Sequence, residues 1–359
     1  MDSAPTPISH QFNFTPLCRG LAARAADLQT IADWPEWQLQ ECARQKLFHW
    51  FIPVACGGHG WSDLELMHAY LRLSQSCLTT SFVLTQLMGA ATRIAASDNH
   101  ELRSRLLPEL LDGRSLATVA ISHLTTSRRH LAQPAVRATP TADGYRIDGY
   151  SAWVTAADRA QYIVTGASLP NLEQLLIVVP TNATGFQAAT PETLVGLSAS
   201  RTGRCDFHGI ELSQDWVLAG PRPQVLQTGR GTGTGGLQTS TLALGLTAAA
   251  LDFLDAEAPA REILQPPAAA LREEHQRLTA LVMNAAAGAR DRPSDVLRRQ
   301  ANSLVLRATQ AALAAAKGAG YAVHHPAGRW CREALFFLVW SCPQEVVAAN
   351  LCELAGLDS

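Results

Sequence analysis

Apolar positions recur at helical spacing early in the chain, at Leu21, Ala22, Ala25, Leu28 and Ile31, and a second helical run follows through Trp37–Trp50. The string from Ile52 to Ser62 breaks that pattern with Gly57, Gly58 and Gly60. Three glycines in four positions require a tight turn that side chains would block. Residues 63–113 return to helical spacing and predict two or three more helices, the first beginning near Asp63. Near residue 117 the period changes. Ala117–Ser122, Tyr145–Asp148, Ala152–Thr155, Gln161–Thr165, Gln174–Val179 and Arg204–Glu211 are short segments with β-branched or aromatic content, separated by Pro, Gly, Asn and Asp. Such spacing predicts a small β-domain. After a Gly/Thr-rich connector over 223–236, three Ala/Leu-rich stretches (Leu237–Ala256, Pro267–Ala287 and Ser294–Lys317) and closing helices through Leu354 predict an antiparallel bundle. The expected domains are 1–116 (helical), 117–222 (β) and 223–359 (helical bundle), an α+β chain with a sheet between two helical parts.

Composition narrows the class without naming a reaction. The 359 residues are 47% apolar and 17% charged, with a net charge of −2. That balance gives no electrostatic footprint for nucleic acid or an anionic membrane. The longest apolar stretches, such as Thr241–Leu254, are expected to be too short to span a bilayer. The first residues lack a basic region followed by an apolar core, so no secretory signal is expected. Eight scattered cysteines with no CxxC pair predict reduced, mostly buried thiols in a cytoplasmic protein. The pattern GxxxxGK[ST] is absent from the Gly-rich connector, and no HxxxH or HExxH occurs, so neither a phosphate loop nor a metal site is expected.

Several strings, taken in order, carry a resemblance. Ile52–Ser62 is followed by a helix; Arg103–Arg114 leads into the β-segments; Gly196–Leu212 and Trp216–Gly220 form a hairpin-like pair. Gly318, Gly320 and Tyr321 then precede Arg332-Glu333-Ala334 and an apolar run. The succession, from about residue 50 to 354, resembles the acyl-CoA dehydrogenase family. The resemblance implies an N-terminal helical domain, a central β-domain and a C-terminal helical bundle, with FAD held between the last two. It places Ile121-Ser122-His123 and Trp153-Val154-Thr155 at the walls of the flavin ring, so Ile121, Ser122, Trp153 and Thr155 become candidate cofactor contacts. An indole can lie against such a ring, and amides and hydroxyls can bond its edge. Arg261 falls where the family has an arginine reaching the pyrophosphate of a flavin bound mainly by a neighbouring subunit. The implied substrate is an acyl thioester on CoA or a carrier protein, the implied electron acceptor an electron-transfer flavoprotein, and the implied assembly a homodimer or homotetramer.

The chain departs from the family where chemistry is expected. The position of the catalytic glutamate holds Ser341, within Trp340-Ser341-Cys342-Pro343. Removal of an α-proton needs a carboxylate or another base, and an unassisted serine is a poor one. The family's Gly-Ser pair beside the flavin phosphates is replaced within Ser122–Arg129, where Arg128 and Arg129 offer charge of a different shape. Gly235 and Gly236 supply no alternative glutamate; Glu333 and Glu345 read as helix-surface charges, and His123, His324 and His325 as structural or surface histidines. Three functions follow as expectations: an FAD oxidoreductase on acyl thioesters with its base displaced or replaced, a flavin-dependent monooxygenase or oxidase, and a non-catalytic binding or assembly subunit.

Overall fold

The computed structural model describes residues 12–125, 134–227, 236–289 and 292–357. The N-terminal helices are α1 (Phe14–Ala23), α2 (Glu36–Arg44), α3 (Asp63–Ser76), α4 (Leu78–Ala95) and α5 (His100–Leu111). The glycine turn works as its spacing requires. Gly57 and Gly60 have positive φ (83° and 62°), and a Cβ on Gly58 would fall on the carbonyl oxygen of Ile52. Immediately after, Ser62 starts α3 with a reciprocal cap: its Oγ accepts from the Glu65 amide (3.3 Å), while the Glu65 carboxylate accepts from the Ser62 amide (2.7 Å). The predicted second helix is shorter than expected, because it ends at Arg44 and passes into a 3-10 turn over Leu47–Phe51.

The sheet comprises β1 (Ala117–Ala120), β2 (Val136–Pro140), β3 (Gly144–Thr155), β4 (Tyr162–Ser168), β5 (Gln174–Pro180), β6 (Phe186–Ala188), β7 (Thr202–Ser213) and β8 (Val217–Arg222). Its order is β6-β7-β3-β2-β4-β5-β8, with β1 parallel to β4. The two segments expected at 145–148 and 152–155 are one strand, β3. Register shifts against β7 bend it at Ile147/Gly149 and Ser151/Val154. A helical turn, α6 (Ser122–Thr125), begins where the first strand was expected to run on to Ser122.

The bundle consists of α7 (Leu237–Glu257), α8 (Gln265–Ala286), α9 (Ser294–Gly320), α10 (Pro326–Ala334) and α11 (Gln344–Leu354). Contrary to the expectation from Thr241–Leu254, the helical stretch Leu237–Ala260 is long and apolar enough to cross a membrane, but 78% of that apolar window is buried. It is the core helix of the bundle, apolar all round because α3, α8 and α9 cover it. Gly245 lets α3 approach closely, since a Cβ there would overlap the Ser74 hydroxyl. Ser74 Oγ instead donates to Leu242 O (3.2 Å), joining the N-terminal helices to the bundle.

Candidate active site

The wall expected at residues 121–123 is built by the end of β1. This strand is buried along its length, and Thr165 Oγ1 locks its end by donating to Ala120 O (2.8 Å). Ile121 packs partly buried against the N-terminal core, and Ser122 opens α6 instead of ending a strand. His123 Nε2 lies 2.8 Å from Gly166 O on β4. Burial is the main force holding its pKa below the ordinary histidine value, with the Gly166 carbonyl acting in the opposite direction. Arg128 and Arg129 lie outside the described residues, as does most of the connector, including Gly235.

The second wall comes from β3. Trp153 sits in the irregular stretch between Ser151 and Val154, and its side chain is 52% exposed. Thr155 is buried, and its hydroxyl is already engaged: Thr155 Oγ1 and Thr202 Oγ1 are 2.9 Å apart, as are Ser200 Oγ and Thr202 Oγ1. Because α6 packs against β3, the fold brings the elements carrying Ile121, Ser122, Trp153 and Thr155 together. Arg261 is elsewhere. Its guanidinium donates to Ala315 O (2.6 Å) on α9 and pairs with the Glu257 carboxylate.

Ser341 follows α10 and a 3-10 turn over Leu335–Leu338. It is half-buried and adopts a positive φ of 45°, uncommon for a residue with a side chain. Its neighbour Trp340 stacks on Phe336 (5.1 Å between centroids), and both rings meet Phe82 of α4 edge-on at 5.1 and 4.7 Å. Beneath this turn lies Arg298, 0% exposed. It donates to Trp340 O (2.8 Å) and through Nε to Asn302 Oδ1 (3.0 Å), while Asn302 Nδ2 donates to Phe337 O (3.0 Å). Burial lowers the Arg298 pKa to about 10, so the side chain is still a cation at neutral pH. A cation at the carbonyl end of a helical turn complements the local dipole.

The sequence reading missed Arg298 and Asn302. The available signal was a polar pair at i,i+4 among the buried Leu297, Ala301, Leu304 and Val305 of α9. Glu333 is not the surface charge expected of it: it is only 5% exposed. Burial raises its pKa to about 7 against the lowering pull of Arg329, whose Nε is 3.6 Å away, and of Arg332. Glu345 is exposed, as expected. His325 caps α10, its Nδ1 accepting from the Ala327 amide (3.1 Å). Among the described residues no group of three or more His, Cys, Asp or Glu could hold a metal ion, and all eight cysteines are free.

Residues 17–114 match the family model described as acyl-CoA dehydrogenase, N-terminal domain. The mitochondrial short-chain specific acyl-CoA dehydrogenase of Bos taurus is 23% identical over 269 residues, covering 70% of this chain and 63% of that protein. Residues 17–114 thus carry this family's N-terminal domain, and the chain as a whole is similar to acyl-CoA dehydrogenases. Cyclohex-1-ene-1-carbonyl-CoA dehydrogenase of Geobacter metallireducens is 22% identical, covering 66% of this chain and 63% of that protein. The three-part fold is the family's: butyryl-CoA dehydrogenase from Megasphaera elsdenii superposes with a TM-score of 0.81 at 18% identity, covering 99% of this chain and 100% of that one. KijD3, in a complex with FMN and a dTDP-amino-keto sugar, superposes with a TM-score of 0.74 at 16% identity, covering 99% and 96% of the two chains. Similar scaffolds thus occur in proteins whose ligands are not thioesters.

Proposed function

We propose that this protein is an FAD-dependent oxidoreductase acting on an acyl thioester of CoA or a carrier protein, with its proton-abstracting group displaced from position 341. The observation that carries this reading is the exposed indole of Trp153, bent outward on an irregular strand beside the β1–α6 junction. An aromatic face next to backbone donors and a buried imidazole fits the ring of a flavin. FAD, when bound, supplies the acceptor for a hydride. The chain's own residues do the rest. Trp153 would cover the ring, the 121–123 segment would bond its edge, and Phe82, Phe336 and Trp340 would keep the segment at Ser341 fixed and dry.

The phosphate-holding end fits less well than the ring end. Arg261 is committed to Glu257 and Ala315 O, so it offers a bound pyrophosphate little unless those bonds are exchanged. Ser341 has no hydrogen-bonded Asp, Glu or His among the described residues, and a lone hydroxyl is a poor base. These two observations favour a second reading, a binding or assembly subunit that has lost the reaction. Exposed Val339, Leu351, Leu354 and Leu357 on and beside the closing helix support association with further copies, as a homodimer or homotetramer. We propose a cytoplasmic location, with an electron-transfer flavoprotein as the electron acceptor.

The visible spectrum of the purified protein separates the readings. Flavin bands, with FAD released on denaturation, are the expected result. A colourless protein that takes up no added FAD would remove the oxidoreductase and leave the binding subunit.

A further inference from the structure

Helices α1, α3 and α7 meet around an open cleft of about 430 Å³. Thr15, Arg19 and Ala22 line it from α1, at the i, i+4 and i+7 positions that share one helix face. Arg72 and Gln75 line it from α3, and Ala249 and Asp252 from α7. The charges around this cleft do not balance. Asp252, its one acid among the described residues, is already engaged: it accepts from Gln75 Nε2 (2.6 Å) and from the Arg272 guanidinium (2.8 Å). Arg19 and Arg72 are both exposed to solvent, and neither makes an ion pair among the described residues. The Arg72 guanidinium carbon lies 5.6 Å from the centroid of the Phe14 ring, which draws that cation toward the first turn of α1. The start of α1 adds positive partial charge beside Thr15. Two cations and a helix start therefore share one cleft with no free anion to match them, and an anion placed there would offset their repulsion.

We infer that this cleft binds a small phosphorylated metabolite, with the phosphate held between Arg19 and Arg72. Guanidinium forks match the oxygens of a phosphate monoester, and two of them suit its double charge. The cleft has room for more than the phosphate, and the Ala22 and Ala249 methyls give the organic part an apolar wall. Such a ligand would tie α1 and α3 to α7, beside the Gln75–Asp252 bond that already joins the N-terminal helices to the bundle. This site is independent of the flavin reading.

The test is calorimetric titration of the purified full-length protein with glycerol 3-phosphate and, separately, with inorganic phosphate, potassium chloride holding the ionic strength constant. Glycerol 3-phosphate should bind one per chain and at least as tightly as inorganic phosphate. Arg19→Gln and Arg72→Gln each remove one charged donor from an exposed position, and each should weaken that binding about tenfold or more. Arg72→Lys keeps the charge without the fork and should fall between wild type and Arg72→Gln. Saturating glycerol 3-phosphate should also raise the thermal unfolding midpoint of the wild type and leave that of the double variant Arg19→Gln/Arg72→Gln unchanged. No saturable binding to the wild type, binding of inorganic phosphate alone, or an affinity unchanged in both glutamine variants would overturn the inference.

Discussion

Two turns in this chain resemble the same family, and only one of them keeps its whole content. At residues 52–62 the constraint is steric: Gly58 must lack a side chain because Ile52 O occupies the space. At 335–343 the backbone arrangement is equally well supported, by Arg298 and Asn302 below and three aromatic rings beside it. Yet the one side chain that chemistry would require is a serine. Geometry is enforced by many neighbours, whereas a reaction hangs on a single functional group. The scaffold can therefore persist after its chemistry has changed, and similarity of fold says little about position 341.

The steric side of this contrast gives the largest expected effect. Gly58→Ala would push a methyl into Ile52 O and force the turn open, lowering stability by about 3 kcal/mol or more in denaturant unfolding. An effect below about 1 kcal/mol would mean that the turn is not constrained as described.

Glu333 gives a pH signature. Its folded pKa, about 7, lies above the ordinary glutamate value of 4.5, so the folded chain holds this proton more tightly than the unfolded chain. Its contribution is fully present below pH 4.5 and is lost as pH rises through about 7. The loss amounts to about 3 kcal/mol, at 1.36 kcal/mol per unit. Glu333→Gln should flatten that part of the stability–pH profile and leave the variant more stable than wild type at pH 8. Identical profiles for the two proteins would argue against a buried, proton-binding Glu333.

Arg298→Ala should lower stability by about 2–3 kcal/mol, since it strands buried partners at Trp340 O and Asn302 Oδ1. Arg298→Lys should recover part of that loss, because one charged donor remains. The smallest effect is expected at the reaction position itself. Ser341→Gly relieves a positive φ and should raise stability by about 0.5–1 kcal/mol. A loss on that substitution would show that the hydroxyl contributes to packing.

Much of the scaffold was legible in the sequence because its signals are local. The glycine spacing at 57–60 and the Ala/Leu periodicity of the bundle each report on residues within a turn or two. The site was less legible because its contacts are distant. Arg298 bonds carbonyls 39 and 42 residues away. Arg261, placed by resemblance at a pyrophosphate, turns to a carbonyl 54 residues further on. Glu333 resembled an exposed helical charge until the approach of Gly196 to the Arg332 carbonyl (2.8 Å from an added Cβ) showed that face to be covered. The end of β1 misled for a local reason: Ser122 and His123 begin a helical turn that the β-branched run before them does not foreshadow.

The most direct test is an anaerobic half-reaction. The flavin-loaded wild type and its Ser341→Glu variant are each mixed with a short-chain acyl-CoA, and loss of the flavin absorbance is followed. Bleaching of the wild type at a rate that Ser341→Glu does not raise is the expected result, since the proton-abstracting group lies away from position 341. A wild type that does not bleach, beside a Ser341→Glu variant that does, would contradict this and show that the base is missing rather than displaced.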